Sequence, residues 1–132
     1  MTAGNENPII EPLVRYRDET SALTCPYGEV QRIITGGAGG VANVHVIRVT
    51  QGDVHMHAGY DEVYYVLAGN GQIILEGTPY RLRPGAALII PSRIAHAIQA
   101  DEGEVLEFVI VGSPAMTIDD LRFVPQKPEA LR

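Results

Sequence analysis

A single cysteine, Cys25, stands in a chain of 132 residues. No intrachain disulfide is possible, and one thiol cannot assemble a thiolate metal cluster; Cys25, followed by Pro26, is read as structural. Basic residues are also scarce, ten Lys and Arg against 16 Asp and Glu, for a net charge of −6. Without a basic surplus there is little to displace counterions from a phosphate backbone, so nucleic acid is not an expected partner. Acidic membrane surfaces are disfavoured for the same reason. No apolar run approaches the ~18 residues of a spanning helix, and Met1 to Pro8 lacks the basic cluster and apolar core of a secretory signal. The expected setting is cytoplasmic. Sustained helical periodicity is nearly missing too, which removes bundle architectures from consideration.

What remains is a length suited to one domain and a pattern of short β-rich runs. Residues 1–30, with Pro8, Pro12 and Pro26, read as an N-terminal arm with one short strand, suited to covering a sheet edge. Residues 31–114 read as a single β-barrel domain and 115–132 as a C-terminal extension. Strands are expected at Gln31 to Thr35, Ala42 to Thr50, Val54 to His57, Glu62 to Leu67, Gln72 to Leu75, Tyr80 to Leu82, Ala87 to Ile90, His96 to Ala100 and Val105 to Val111. Gly, Pro, Asn and Asp separate them at turn-forming positions, and such spacing indicates an all-β antiparallel sandwich or barrel. Gly36-Gly37-Ala38-Gly39-Gly40 lacks the Lys-Ser/Thr and the helix of a phosphate loop, and is read as a hairpin connection. Thr117-Ile118-Asp119-Asp120 has the form of a capping box and predicts a short helical turn ending before Pro125.

The chemistry-bearing stretch is His55-Met56-His57-Ala58-Gly59-Tyr60-Asp61-Glu62. Alternate residues of a strand share a face, so His55 and His57 can bind one ion together while Met56 points away. A four-residue hairpin loop over 58–61 would set Glu62 opposite His57, with Cβ atoms ~4.5–5.5 Å apart. Parity then favours Glu62 over Asp61 as a carboxylate ligand and places Tyr64 and Val66 on the same inward face. His96 begins a later strand and can join only if the sheet closes on itself. His45, in the alternating run Val44 to Thr50, is read as a hydrogen-bonded barrel residue, with a place beside the ligands as the alternative. Tyr60 is read as an exposed turn residue, with a place at the mouth of the site as the alternative.

His55-x-His57, four residues, Glu62, six residues, Gly69 resembles the second half of the first cupin motif. Gly85, five residues, Pro91, then His96 resembles the second. The resemblance spans roughly residues 42–112, with Val49, Ala86, Arg93 and Ala100 departing from the usual motif residues. It implies a double-stranded β-helix, or jelly-roll barrel, with His55, His57, Glu62 and His96 holding one divalent transition metal: Fe, Mn, Ni, Zn or Cu. It also implies a homodimer. Three neutral imidazoles and a carboxylate leave a net positive centre with open positions, suited to a small oxygenated, anionic substrate. Tyr64 is the candidate acid or base, and Arg93, in the loop before His96, the candidate carboxylate anchor. The leading expectation is an enzyme that oxidises or decarboxylates a small oxygenated acid. The alternatives are a Lewis-acid isomerase, lyase or cyclase using Tyr64, and a non-catalytic binding or sensing module.

Overall fold

The computed structural model describes residues 11–25, 28–52, 54–115 and 121–123. Among them the β-rich runs become strands β1 (Ala22–Cys25), β2 (Gly28–Ile34), β3 (Asn43–Val49), β4 (His55–His57), β5 (Asp61–Ala68), β6 (Gly71–Leu75), β7 (Thr78–Leu82), β8 (Ala87–Ile90), β9 (His96–Ala100), β10 (Leu106–Ser113) and β11 (Leu121–Phe123). They form two antiparallel sheets, in the orders β1-β2-β3-β10-β5-β8 and β11-β4-β9-β6-β7. The chain passes repeatedly from one sheet to the other, as in a jelly roll. Among the described residues no helix is long and apolar enough to cross a membrane.

Period-two alternation makes the core. On β5, Glu62, Tyr64 and Val66 are buried while Asp61, Val63, Tyr65 and Leu67 are exposed, as expected of a strand with one solvated face. Leu106, Phe108 and Ile110 of β10 join Ile47 and Val49 of β3, Ile73 of β6 and Ile98 of β9 in one apolar cluster. The Tyr64 and Phe108 rings stack with centroids 4.8 Å apart. Inward positions change character along the strands. Val49 and Ile47 give way to His45 and Asn43 on β3, Val66 to Tyr64 and Glu62 on β5, and Ala100 and Ile98 to His96 on β9. The pairing of β3 and β5 with β10 sets Asn43 and Glu62 either side of Gly112. The barrel is therefore apolar at one end and carries its buried polar side chains towards the other.

The motif glycines have backbone reasons. Gly69 has φ +87°, and a Cβ there would collide with the carbonyl oxygen of Val105. Gly85 takes φ +91° in the turn before β8; both angles lie where only Gly sits without strain. The N-terminal arm is pinned to the outer face of the larger sheet. Arg17 Nε donates to Gln31 Oε1 at 2.9 Å, Gln31 Nε2 donates to the Arg17 and Thr20 carbonyls, and the Arg17 guanidinium pairs with Glu107. β1 pairs with β2 and extends the sheet at that side.

Two expectations need correction. β4 and β5 do not form a hairpin: β4 pairs with β9 and β11, and β5 with β8 and β10. Residues 58–60 instead carry the chain between the sheets. At the C-terminus, Leu121–Phe123 is a strand paired with β4, where a helical turn was expected. Three residues that find an open strand edge gain ladder hydrogen bonds that no local helix signal can offset. The capping box at Thr117–Asp120 lies outside the described residues.

Candidate metal centre

His55, His57 and His96 are all buried, and their ligand atoms lie within 4.8 Å of one another. β4 supplies the first two from one face, and β9 supplies the third, which pairs in register with His55. The His55 and His96 rings meet edge-on with centroids 4.1 Å apart. Glu62, 2 % exposed, arrives from the opposite sheet. Its Oε1 is 3.6 Å from Nε2 of both His57 and His96. Strand parity separates Glu62 from Asp61, which faces out and whose Oδ1 accepts the Ser92 N–H at 2.8 Å.

The hydrogen bonds behind the rings decide what faces inward. His96 Nδ1 lies 2.9 Å from the Ile94 carbonyl oxygen. A carbonyl only accepts, so Nδ1 carries the proton and Nε2 presents a lone pair. That Nε2 is buried without a hydrogen-bond partner. Burial, with His55 adjacent, holds the His96 imidazole down at about 3, so it is neutral at pH 7 and its 3.6 Å approach to Glu62 is no ion pair. The Glu62 carboxyl is pushed up to about 7 by burial, against the Tyr64 hydrogen bond that lowers it. A buried lone pair without a donor and a buried carboxylate without a cation are each costly. A divalent ion between them would relieve both, and would favour the ionised carboxylate.

The donor set fits such an ion. Two donors each ~2.1 Å from one ion lie at most ~4.2 Å apart, which brackets the His57–Glu62 and His96–Glu62 separations. His55, His57, His96 and Glu62 would hold the metal, and nitrogen and oxygen donors suit a transition ion.

Two tyrosines serve this site differently. Tyr64 O–H donates to Glu62 Oε1 at 3.3 Å and lies within the barrel. Tyr60, read from sequence as exposed, is only 4 % exposed. Its hydroxyl hydrogen-bonds His57 Nδ1 on the side away from Glu62, and its ring lies 4.6 Å from the imidazole. Tyr60 therefore orients a ligand from behind. The sequence signal for it is slight, an aromatic three residues after a candidate ligand in a tight connection.

Arg93 is exposed, with φ +69°. Its backbone N–H donates to the His57 carbonyl, which ties the loop before β9 to β4. His45 is buried and faces the barrel interior, but no described residue hydrogen-bonds its ring, contrary to the expected bonded barrel histidine.

Comparison with known proteins agrees with this geometry. The Cupin_2 family model, described as a cupin domain, matches residues 44–112. A solved protein from Planctomyces limnophilus is 33% identical, with a TM-score of 0.75, over 86% of this chain and 97% of its own. The polyketide cyclase RemF from Streptomyces resistomycificus is 17% identical, with a TM-score of 0.71, over 92% of this chain and 90% of its own. The Streptomyces nucleoside dehydratase Pac13 is also 17% identical, with a TM-score of 0.71, over 91% of this chain and 97% of its own. No functionally curated protein gives a match. With two matched motifs, a jelly-roll barrel and a buried three-histidine cluster at its polar end, the chain belongs to the cupin domain family.

Proposed function

We propose that this cupin is a metal-dependent enzyme performing non-redox acid–base chemistry on a small oxygenated, anionic substrate: an isomerisation, an elimination or a cyclisation. The observation that carries this reading is the Tyr64 hydroxyl, buried and 3.3 Å from the Glu62 carboxylate oxygen. A divalent ion, when bound, supplies Lewis-acid polarisation of a substrate oxygen. Tyr64 holds a proton beside that position, with Glu62 accepting its hydrogen bond and Phe108 stacking on its ring to fix its orientation. Tyr60, bonded to Nδ1, leaves Nε2 of His57 turned to the site. The apolar wall of Ile90, Ile98 and Ile110 lowers the local dielectric and strengthens each of these contacts. Two structural neighbours that share the fold are named as a polyketide cyclase and a nucleoside dehydratase, and both of those names describe reactions of this class.

The test is turnover of metal-loaded protein and of Tyr64→Phe against a panel of hydroxy acids, keto acids and sugar acids, with dioxygen uptake followed in parallel. The reading expects turnover without oxygen consumption, and a loss of roughly 100-fold or more in kcat for Tyr64→Phe. Oxygen uptake coupled to turnover would replace it with the oxidising or decarboxylating reading. Full metal loading with no turnover of any substrate would leave a binding or sensing module.

A further inference from the structure

Strand register places a second polar position on the same sheet as Tyr64, three strands away. Reading across the larger sheet, Leu88 on β8, Tyr64 on β5, Ile110 on β10, His45 on β3 and Arg32 on β2 are direct neighbours in one row. Tyr64 and Ile110 belong to the interior cluster, so the row faces inward. The β2 end agrees: Val30 and Ile47 are paired core residues, and Arg32 and His45 are the next pair on that face. Gln31, between them, points outward to Arg17.

Arg32 is half-buried, and no carboxylate or other described residue pairs with or hydrogen-bonds its guanidinium. His45 beside it is 8 % exposed, and the pair is uncompensated in a chain with an excess of acids. A partly buried guanidinium with no acidic neighbour is available to an anion. Burial and the neighbouring Arg32 depress the His45 imidazole to about 4, so His45 offers a neutral hydrogen-bonding ring. In the adjacent row Asn43 is fully buried, and Gly112, which has no side chain, stands between it and Glu62. Polar groups thus continue from the Glu62 and Tyr64 positions through Asn43 and His45 to Arg32. At ~4.8 Å per strand, Tyr64 and Arg32 are roughly 14 Å apart along the sheet. Two long side chains narrow that to the length of a small molecule.

We propose that Arg32, assisted by His45, binds a carboxylate at the far end of the substrate, whose near end carries the oxygen donor presented to the histidine cluster. The assignment rests on the metal-centred reading above and adds a substrate class to it: small acids with a chelating oxygen function at one end and a second carboxylate at the other. A guanidinium fork matches a planar carboxylate with two parallel N–H donors.

The test uses cobalt(II)-loaded full-length protein, with the cobalt absorption band reporting both metal loading and an intact site. Lactate and 2-hydroxyglutarate share the chelating hydroxy-acid end and differ in the distal carboxylate; 3-phosphoglycerate carries a distal phosphate. We expect 2-hydroxyglutarate to bind at least about 10-fold more tightly than lactate. In Arg32→Gln that preference should vanish with lactate affinity and the cobalt band unchanged, and Arg32→Lys should keep only part of it. A preference that survives Arg32→Gln, or none in the wild type, overturns the proposal while leaving the metal centre standing. A stronger Arg32-dependent preference for 3-phosphoglycerate overturns the carboxylate assignment. Failure of cobalt to bind at all removes the metal-centred reading and this one with it.

Discussion

His57 and Glu62 face one another with Nε2 and Oε1 3.6 Å apart, although their strands lie in different sheets. Their closeness is a property of the closed barrel, in which the 58–60 connection carries the chain from one sheet to the other. Separating the sheets would separate these two donors, so metal binding should be coupled to the integrity of the whole fold. The tyrosine in that connection is part of the arrangement.

Removing the Tyr60 hydroxyl by Tyr60→Phe keeps the ring that packs against His57 and deletes the hydroxyl's hydrogen bond to Nδ1. Groups that orient a histidine ligand in this way contribute about 10-fold to 100-fold in metal affinity. A competitive chelator titration should show a loss of at least about 10-fold in metal affinity, alongside the drop of a few degrees in the melting temperature of the metal-free protein that losing one buried hydrogen bond brings. Unaltered affinity would make Tyr60 a packing residue.

Arg93 adopts a left-handed conformation, φ +69°, at the second motif position where cupins commonly carry Gly. A side chain there costs about 1 kcal/mol that glycine does not incur, and the backbone N–H to the His57 carbonyl survives the exchange. Arg93→Gly is expected to raise or preserve thermal stability and to leave metal content intact. If it lowered turnover sharply at full metal loading, the exposed guanidinium would belong to the substrate site.

Acid should weaken the metal-free protein partly through His45. Its imidazole titrates at about 4 when folded, against 6.5 in the unfolded chain. Between these values the unfolded chain takes up a proton that the folded one does not, so this contribution is complete above 6.5 and falls as pH drops through the window. His96 acts in the same direction, whereas Glu62, raised from 4.5 to about 7, acts in the opposite one. Comparing wild type with His45→Gln cancels both. The urea midpoint should fall less between pH 7 and pH 4.5 in the variant than in the wild type, and parallel pH profiles would contradict the assignment.

The outer face of β5 and β8 is apolar. Tyr65 is 49 % and Ile89 67 % exposed, and Val63 lies in register against Ile89. We expect this face to join two copies of the chain, because exposed apolar residues contiguous on one sheet mark association surfaces. Light scattering should give a dimer mass that Ile89→Lys or Tyr65→Glu converts to monomer. A monomeric wild type would contradict this.

Much of the site was legible because strand parity is insensitive to topology. His55 and His57 share a face and Glu62 excludes Asp61 in a hairpin and in a sheet-crossing connection alike. The same spacing does not distinguish those two connections, so the hairpin expectation failed and Tyr60 was placed in solvent. Leu121–Phe123 is too short to carry a strand signal of its own and acquires one only by pairing with β4. Arg32 was not singled out because its face and neighbours depend on register with β3 and β10, which no local pattern encodes. The cupin motifs supplied what periodicity could not, the closure that brings His96 of β9 to His55 of β4.

His55, His57, His96 and Glu62 are expected to bind one divalent transition metal, and elemental analysis of the purified protein beside His96→Ala checks this. The wild type should carry close to one equivalent of a transition metal per chain, and a His96→Ala variant that still folds should lose nearly all of it. Metal-free wild-type protein that cannot be reconstituted, or equal metal content in His96→Ala, would contradict it.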